Sequence, residues 1–562
     1  MGAVKRRALL INPPVYDLQY WAEWSLPHGL LKVGAFLKEA GYQTRLIDCL
    51  YADSMHRVSK QITSVVEIGR RPVEIGLSDF RREQGRLGSA QRFKYVFGMN
   101  LESLQDEIAA IAGMKVLAGR GEGEAITHRL FTDDVFHPDE VWITSIMTYW
   151  WESTVDVAEL CKKLFPSARI RIGGIYPTLA SDHLRQKLAE RGLDFQVLLG
   201  HSFDLSNPQD LIVVGEIPEA SWKELDLDLY FQPTVVNSRY YHGPLPGTRG
   251  YETAAGDRRF YGPDYSILTT TRGCPFNCAY CAQRAYNLFD NEEVSNALWT
   301  GDNGKHLTMR TRDVDLTLNE IRDKFKRYGI RRFAFYEDNF LVAKDHFRAV
   351  LQGVVDDSDL RGNLHLYAPE GIEVRLIDLS LARLMREAGF EKVYLPLENI
   401  NTDVIRSWNR SHSSVEMFER SVENCIEAGF ALRNMALNAF VLFGTPGEDI
   451  RSVVDSAIFA SSKIGSVIPM LFTPVPGSAM YEEYRGYLSE EMGFDLQHLN
   501  GKLFPFFEFN RRRFPGLEVG DYLDLEAFMF RLNAQATHGT FDVGANSRVA
   551  RTFRSQLQRI PR

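Results

Sequence analysis

Apolar residues in the N-terminal part of the chain fall into short continuous runs, each followed by a longer stretch with helical spacing. Residues 7–12 read as a buried strand, 30–40 as a helix closed by Gly41, and 43–48 as a second strand. The pattern resumes with a strand at 140–145, a helix at 155–164 and a strand at 169–172 before Gly173 and Gly174. It ends with a strand at 211–214 running into Gly215 and Glu216. Strands separated by helices imply parallel pairing and a doubly wound sheet. Between the second and third strands, residues of about 50–137 are charged and are expected to form a mostly helical insertion. Residues 221–262, rich in Tyr, Gly and Pro, are expected to connect this unit to the next.

A second alternating series starts at residues 265–270. Further strands are expected at 332–336, 364–367, 392–397, 439–443 and 466–472. Helices are expected at 316–328, 344–355, 380–388, 415–428 and 450–462. Six repeats predict a partial (β/α)6 barrel. The expected organisation is therefore α/β: a Rossmann-like sheet over 1–220, the connector, a barrel over 263–485, and a C-terminal region 486–562 of unassigned fold.

The length of 562 residues accommodates two or three domains, and a hydrophobic share of 44% supplies their cores. The net charge of −8 gives no chain-wide basic footprint for nucleic acid, and the local run Arg511-Arg512-Arg513 reads as solvated surface. The basic start is broken at once by Asn12-Pro13-Pro14, and no run approaches the ~20 apolar residues of a membrane span. Three of the six cysteines fall within eight residues, which disfavours a disulfide scaffold and fits a reducing cytoplasm. Cys49, Cys161 and Cys425 lie among apolar neighbours and are expected to be buried structural thiols. His28 at a helix start also reads as structural. Tyr240, Tyr241 and His242 in the connector are candidates for reaching substrate.

The chemistry concentrates in Thr271-Arg-Gly-Cys274-Pro-Phe-Asn-Cys278-Ala-Tyr280-Cys281, directly after the first barrel strand. Loops leaving the C-terminal ends of barrel strands build active sites. Three thiolates on such a loop suit three irons of a cubane and leave a fourth iron open. A zinc site would need a fourth ligand in paired spacing, and the sequence offers no second Cys-x2-Cys or His-x3-His.

Cys-x3-Cys-x2-Cys with an aromatic before the third cysteine resembles the signature of radical S-adenosylmethionine enzymes. The resemblance implies that Cys274, Cys278 and Cys281 hold a [4Fe–4S] cluster whose open iron chelates S-adenosylmethionine, and that an electron donor such as a flavodoxin or ferredoxin reduces it. It makes Tyr280, Glu337, Arg375 and Glu398 the candidates for binding S-adenosylmethionine. Glu337 stands where the family has Gly-Gly-Glu, but here Tyr336-Glu337 replaces the glycines. Gly444-Thr-Pro-Gly-Glu448 resembles a turn found in many of these barrels, and turn formation accounts for it.

The front unit resembles the cobalamin-binding domain that precedes the barrel in one class of these enzymes. The matching pieces are Asn12-Pro13-Pro14, Leu26-Pro27-His28-Gly29-Leu30, Thr144 to Trp150, Gly173 to Thr178, and Gly215-Glu216. They imply cobalamin contacts from Ser145, Thr148, Tyr149, Gly173, Gly174, Tyr176, Thr178, Gly215 and Glu216, with the Ser145 and Thr178 hydroxyls bonding a nucleotide tail. The Asp-x-His-x-x-Gly motif that supplies histidine to cobalt elsewhere is absent, so no lower ligand is expected from it.

The implied activity is methylation of an unactivated carbon in a small molecule or peptide. One S-adenosylmethionine would methylate cobalamin, and a second would yield the 5′-deoxyadenosyl radical. Three other readings stay open: a cyclisation, rearrangement or oxidation without methyl transfer; an RNA methylthio-transferring type lacking cobalamin; and a non-catalytic cobalamin or Fe–S carrier.

Overall fold

Six parallel strands make the front sheet, in the order Gln43–Asp48, Arg7–Asn12, Glu140–Thr144, Arg169–Gly173, Leu211–Val214, Gln196–Leu199. The computed structural model describes residues 5–17, 25–50, 59–67, 91–113, 135–231, 248–252, 259–283, 285, 309–432, 435–446, 448–492, 495–499, 525, 526 and 528–533. Tyr240 to His242, Arg511 to Arg513 and Gly447 lie outside them. The chain divides into two units, residues 1–66 with 92–267 and residues 67–91 with 268–562.

In the front unit the central strands are buried on both faces; Leu9, Leu10, Ile11, Val141, Ile143, Ile170, Ile172 and Ile212 are all in the core. That burial is why they read as continuous apolar runs instead of alternating ones. The edge strand Gln196–Leu199 was not expected: its two leading residues are exposed, so it lacks the apolar signature. Strand order reverses between Arg7–Asn12 and Glu140–Thr144. The loops leaving these two strands therefore open on a crevice, where open α/β sheets take ligands.

Two expectations are corrected here. Among its described residues the insertion is not mostly helical: it holds the strands Ser59–Glu67 and Gln91–Phe97 beside the helix Leu101–Ile111. Gln91–Phe97 pairs antiparallel with Val15–Asp17. The alternation Phe93, Tyr95, Phe97 is a period-two signal that the surrounding charge obscured. The connector, in turn, clusters largely with the front unit. Leu225, Leu227, Leu229 and Tyr230 are buried, and Leu229 packs so closely on helix His28–Glu39 that a Cβ at Gly34 would lie 2.8 Å from its Cδ1. Thr248–Glu252 and Arg259–Pro263 form a hairpin.

The second unit carries its strands in two runs of three. The first is Tyr265–Leu268, Arg332–Phe335 and His365–Tyr367; the second is Val393–Glu398, Leu437–Phe443 and Val467–Leu471. A parallel bridge between Leu366 and Phe390 joins the runs. The helices Val314–Tyr328, Lys344–Asp356, Leu379–Ala388, Val415–Glu427 and Ile450–Ile464 alternate with the strands. Their ends obey local chemistry: the side chains of Asp313, Asp378, Ser414 and Asp449 cap N-termini, and Gly329, Gly389 and Gly465 close C-termini in the left-handed conformation. Phe335, Phe340, Phe347 and Phe390 interlock between strand and helix layers, with ring centroids 4.5–6.0 Å apart. Among the described residues no helix is long and apolar enough to cross a membrane.

Candidate active site

The cysteine loop is held by polar groups that leave little freedom. Thr271–Arg272 pairs antiparallel with Arg310–Thr311. Gly273 sits at φ 98°, a conformation that glycine accommodates without strain, and its N–H donates to Asp338 Oδ2 at 2.7 Å. Ala279 N–H donates to Trp408 O, Met480 N–H to Ala279 O, and Asn409 Nδ2 to Asn277 O, at 2.8–2.9 Å. The loop is thus clamped by the segment 408–412, which follows the helix Thr402–Ser407.

Each cysteine sulfur has a hydrogen-bond donor of its own. Asn339 Nδ2 lies 3.7 Å from Cys274 Sγ, Arg410 Nη1 3.8 Å from Cys278 Sγ, and Gln283 N–H 3.4 Å from Cys281 Sγ. None of the three is in a disulfide. Desolvation pushes the Cys274 thiol up to about 11 and Cys281 to about 12, and raises Cys278 as well. Bare thiols here stay protonated at neutral pH, and a bound cation is what would stabilise thiolates. Among the described residues no set of three His, Cys, Asp or Glu converges on a single metal ion. Three thiols on one loop, each with its own donor, fit a cubane that takes one thiolate on each of three irons.

Glu337 closes on the loop backbone. Its carboxylate is buried and accepts from Thr270 N–H at 2.5 Å, Thr271 N–H at 2.6 Å and Thr271 Oγ1 at 2.5 Å, so both oxygens brace the loop from beneath. Glu448 does the same in its turn, accepting from Gly444 N–H, Thr445 N–H and Thr445 Oγ1 at 2.9–3.1 Å. Burial outweighs these bonds and raises both carboxyls from 4.5 to about 7. A carboxyl raised on folding stabilises the fold fully below about pH 4.5 and loses that contribution as pH rises through about 7. Between pH 5 and 7 we expect unfolding free energy to fall by at most about 1.4 kcal/mol per pH unit for each such group, most steeply near pH 6. Urea titrations should show a shallower slope for Glu448→Gln; an unchanged slope would contradict the assignment.

The remaining barrel candidates assemble around the loop in part. Glu398 adopts φ 62° at a bulge where the register shifts after Pro396, and its Oε1 lies 3.8 Å from Arg410 Nη2. Arg410 Nη1 donates to Tyr280 OH at 3.0 Å. Tyr280 packs edge-on against Trp408. Arg375 is exposed, with its guanidinium 4.9 Å from the Phe276 ring, which stacks on His412 at 3.8 Å. Glu370 is exposed, and desolvation of its carboxyl together with the neighbouring Asp338 raises its pKa. Sequence reasoning missed Trp408, Asn409, Arg410 and His412. Their only signal was an aromatic-polar cluster after a short capped helix.

At the crevice edge of the front sheet, several expected contacts turn inward. Tyr176 is fully buried, with its hydroxyl 2.8 Å from His183 Nδ1. Ser145 Oγ accepts from Thr154 Oγ1 at 2.8 Å. Thr178 Oγ1 donates to Gly174 O at 2.8 Å and accepts from Gly215 N–H at 2.9 Å, lacing two loops together. The hydroxyls of Ser145 and Thr178, expected at a nucleotide tail, thus also hold the loops themselves. Glu216 accepts from Ser221 Oγ, and Thr148 is buried at the start of a single helical turn, Thr148–Trp150. Tyr149 is partly exposed and meets Trp150 edge-on.

What the edge leaves open is a glycine-lined strip. A Cβ at Gly215 would meet nothing within 4 Å, and one at Gly173 only Val213 O at 4.0 Å. The apolar side chains of Met147 and Ile175, 41% and 37% exposed, stand on the same loops. Backbone open to close approach and flanked by apolar side chains suits a large planar ligand with a tail. Cys49, Cys161 and Cys425 are buried, as expected of structural thiols.

Residues 268–459 match the model of the radical SAM superfamily. The chain is 23% identical over 331 residues to a bacteriochlorophyllide d C-12(1)-methyltransferase of Chlorobaculum tepidum, covering 56% of this chain and 60% of that protein. It is 23% identical over 225 residues to the bacteriochlorophyllide d C-8(2)-methyltransferase of the same organism, covering 39% and 44%. The chain thus spans less than two thirds of the length of either relative. The solved structure of TsrM from Kitasatospora setae is a radical S-adenosylmethionine methyltransferase with tryptophan substrate and an S-adenosylmethionine analogue bound. It matches with a TM-score of 0.51 at 14% identity, covering 86% of this chain and 77% of that one, a likeness of fold.

Proposed function

We infer that the whole chain, whose residues 268–459 match the radical SAM superfamily model, is a cobalamin-dependent radical methyltransferase acting on an unactivated carbon. The observation that carries the reading is the cysteine loop at the mouth of the barrel, with a separate donor on each sulfur. The glycine-lined crevice edge of the front sheet supports cobalamin, and the two methyltransferase relatives support methyl transfer. When bound, the cluster and S-adenosylmethionine supply a radical able to abstract hydrogen, and cobalamin supplies a transferable methyl group.

The chain's residues position this chemistry. Cys274, Cys278 and Cys281 hold the cluster. Glu337 and Asp338 fix the backbone of the loop that would hold the cluster. Glu398, Tyr280 and Arg410 form a buried polar group beside Cys278, and Glu370 offers a carboxyl where a ligand ammonium would be received. Gly173 and Gly215 admit cobalamin to the sheet edge, and Gly174 lets its loop close on Ser145 O. The electron donor and the substrate are external.

The test loads the full chain with iron, sulfide and hydroxocobalamin under anaerobic conditions, then adds S-adenosylmethionine and dithionite. Bacteriochlorophyllide d and tryptophan, named for the relatives, serve as the first substrate probes. Formation of both S-adenosylhomocysteine and 5′-deoxyadenosine is the expected result. 5′-Deoxyadenosine alone would leave a radical enzyme of the non-methylating kind.

A further inference from the structure

Arg410 is the one charged side chain among the three sulfur donors; the others are the Asn339 side-chain amide and the Gln283 backbone N–H. The residue is 8% exposed, and its Nε is buried without a hydrogen-bond partner. Its Nη1 reaches both Cys278 Sγ at 3.8 Å and Tyr280 OH at 3.0 Å. Glu398 Oε1 stands 3.8 Å from Nη2, too far for a hydrogen bond, so it offsets the charge without a close pair. Glu398 is held there by a left-handed backbone at the strand bulge, a conformation uncommon for a non-glycine residue. Three buried ionisable groups, Arg410, Glu398 and Glu373, thus stand about one cysteine, with the cation on the sulfur side.

We propose that Arg410 sets the reduction potential of the cluster held by Cys278, acting as a positioning residue whose fixed charge favours the reduced state and which Glu398 partly counters. This rests on the cluster reading above. Reduction adds one electron from an external donor and makes the cluster and its thiolates more negative by one charge. A cation fixed at the sulfur stabilises that state more than the oxidised one, and low local dielectric strengthens the effect. A charged donor also outranks neutral ones in hydrogen-bond strength. The Tyr280 hydroxyl keeps the guanidinium in place without cancelling its charge.

The test is potentiometric titration of the reconstituted full chain, followed by the electron-paramagnetic signal of the reduced cluster. Arg410→Gln retains a donor but removes the charge, and should shift the midpoint potential negative. Arg410→Lys should bring it back towards wild type. Glu398→Gln, which removes the countercharge, should shift it the other way. A potential unchanged in Arg410→Gln at full iron content would overturn the proposal. Should Arg410→Gln fail to hold iron, Glu398→Gln decides: a positive shift supports it, and no shift or a negative one overturns it. A wild-type chain that binds no reducible cluster would instead refute the cluster reading itself.

Discussion

Replacing Cys278 with alanine is expected to leave the chain without a stable four-iron cluster and to take 5′-deoxyadenosine formation to background. Cys278 is the most buried of the three thiols, and its sulfur accepts from the Arg410 guanidinium. Alanine removes the iron ligand and leaves a buried cation facing a methyl group. Truncating one partner of such a contact costs about 1–3 kcal/mol beyond the lost iron. Iron content and the visible charge-transfer band report the loss directly. Cys425→Ala is the control: its thiol is buried in the helix Val415–Glu427, and the substitution should cost about 1 kcal/mol of stability while leaving iron bound. Cys278→Ala protein retaining a full cluster would contradict the ligand assignment.

Gly174→Ala is expected to collapse the crevice edge of the front sheet. Gly174 adopts φ 117°, ψ −170°, and an added Cβ would lie 2.2 Å from Ser145 O. That oxygen cannot retreat easily, because it accepts Tyr176 N–H while Ser145 N–H donates to Gly173 O. Backbone strain alone costs about 1–3 kcal/mol, and the clash adds to it. We expect the front unit to lose about 3 kcal/mol or more and cobalamin retention to fall with it. Gly215→Ala has φ 78° but open space around its Cβ, and should cost about 1 kcal/mol. Denaturant titration and cobalamin retention on gel filtration measure both variants. Equal effects would show that the Ser145 contact is not what fixes the loop.

The sheet and barrel were legible because their strands are buried on both faces. Arg7–Asn12, Gln43–Asp48 and Leu211–Val214 coincide with the expected strands residue for residue. Gln196–Leu199 escaped because an edge strand needs no continuous apolar run. Gln91–Phe97 in the insertion escaped because charged residues interleave with its aromatic positions. At the site, the cysteines declared themselves by spacing. Their neighbours did not: Asn339 and Arg410 lie 65 and 132 positions from the sulfurs they approach. Glu337 shows the opposite limit. Its place at a strand end was readable, but whether it faces a ligand or the loop depends on where the Thr270 and Thr271 amides point. Tyr176 and Thr178 sat on the right loops and turned inward for the same reason, since position along a strand does not fix the direction of a side chain in a turn.

The most direct measurement is the metal content of the full chain purified without oxygen and reconstituted with iron, sulfide and hydroxocobalamin, followed by 5′-deoxyadenosine release on adding S-adenosylmethionine and reductant. About four irons and about one cobalt per chain, with 5′-deoxyadenosine formed, is the predicted result. Iron and 5′-deoxyadenosine without cobalt would contradict the account, leaving a radical enzyme whose front sheet serves some other ligand.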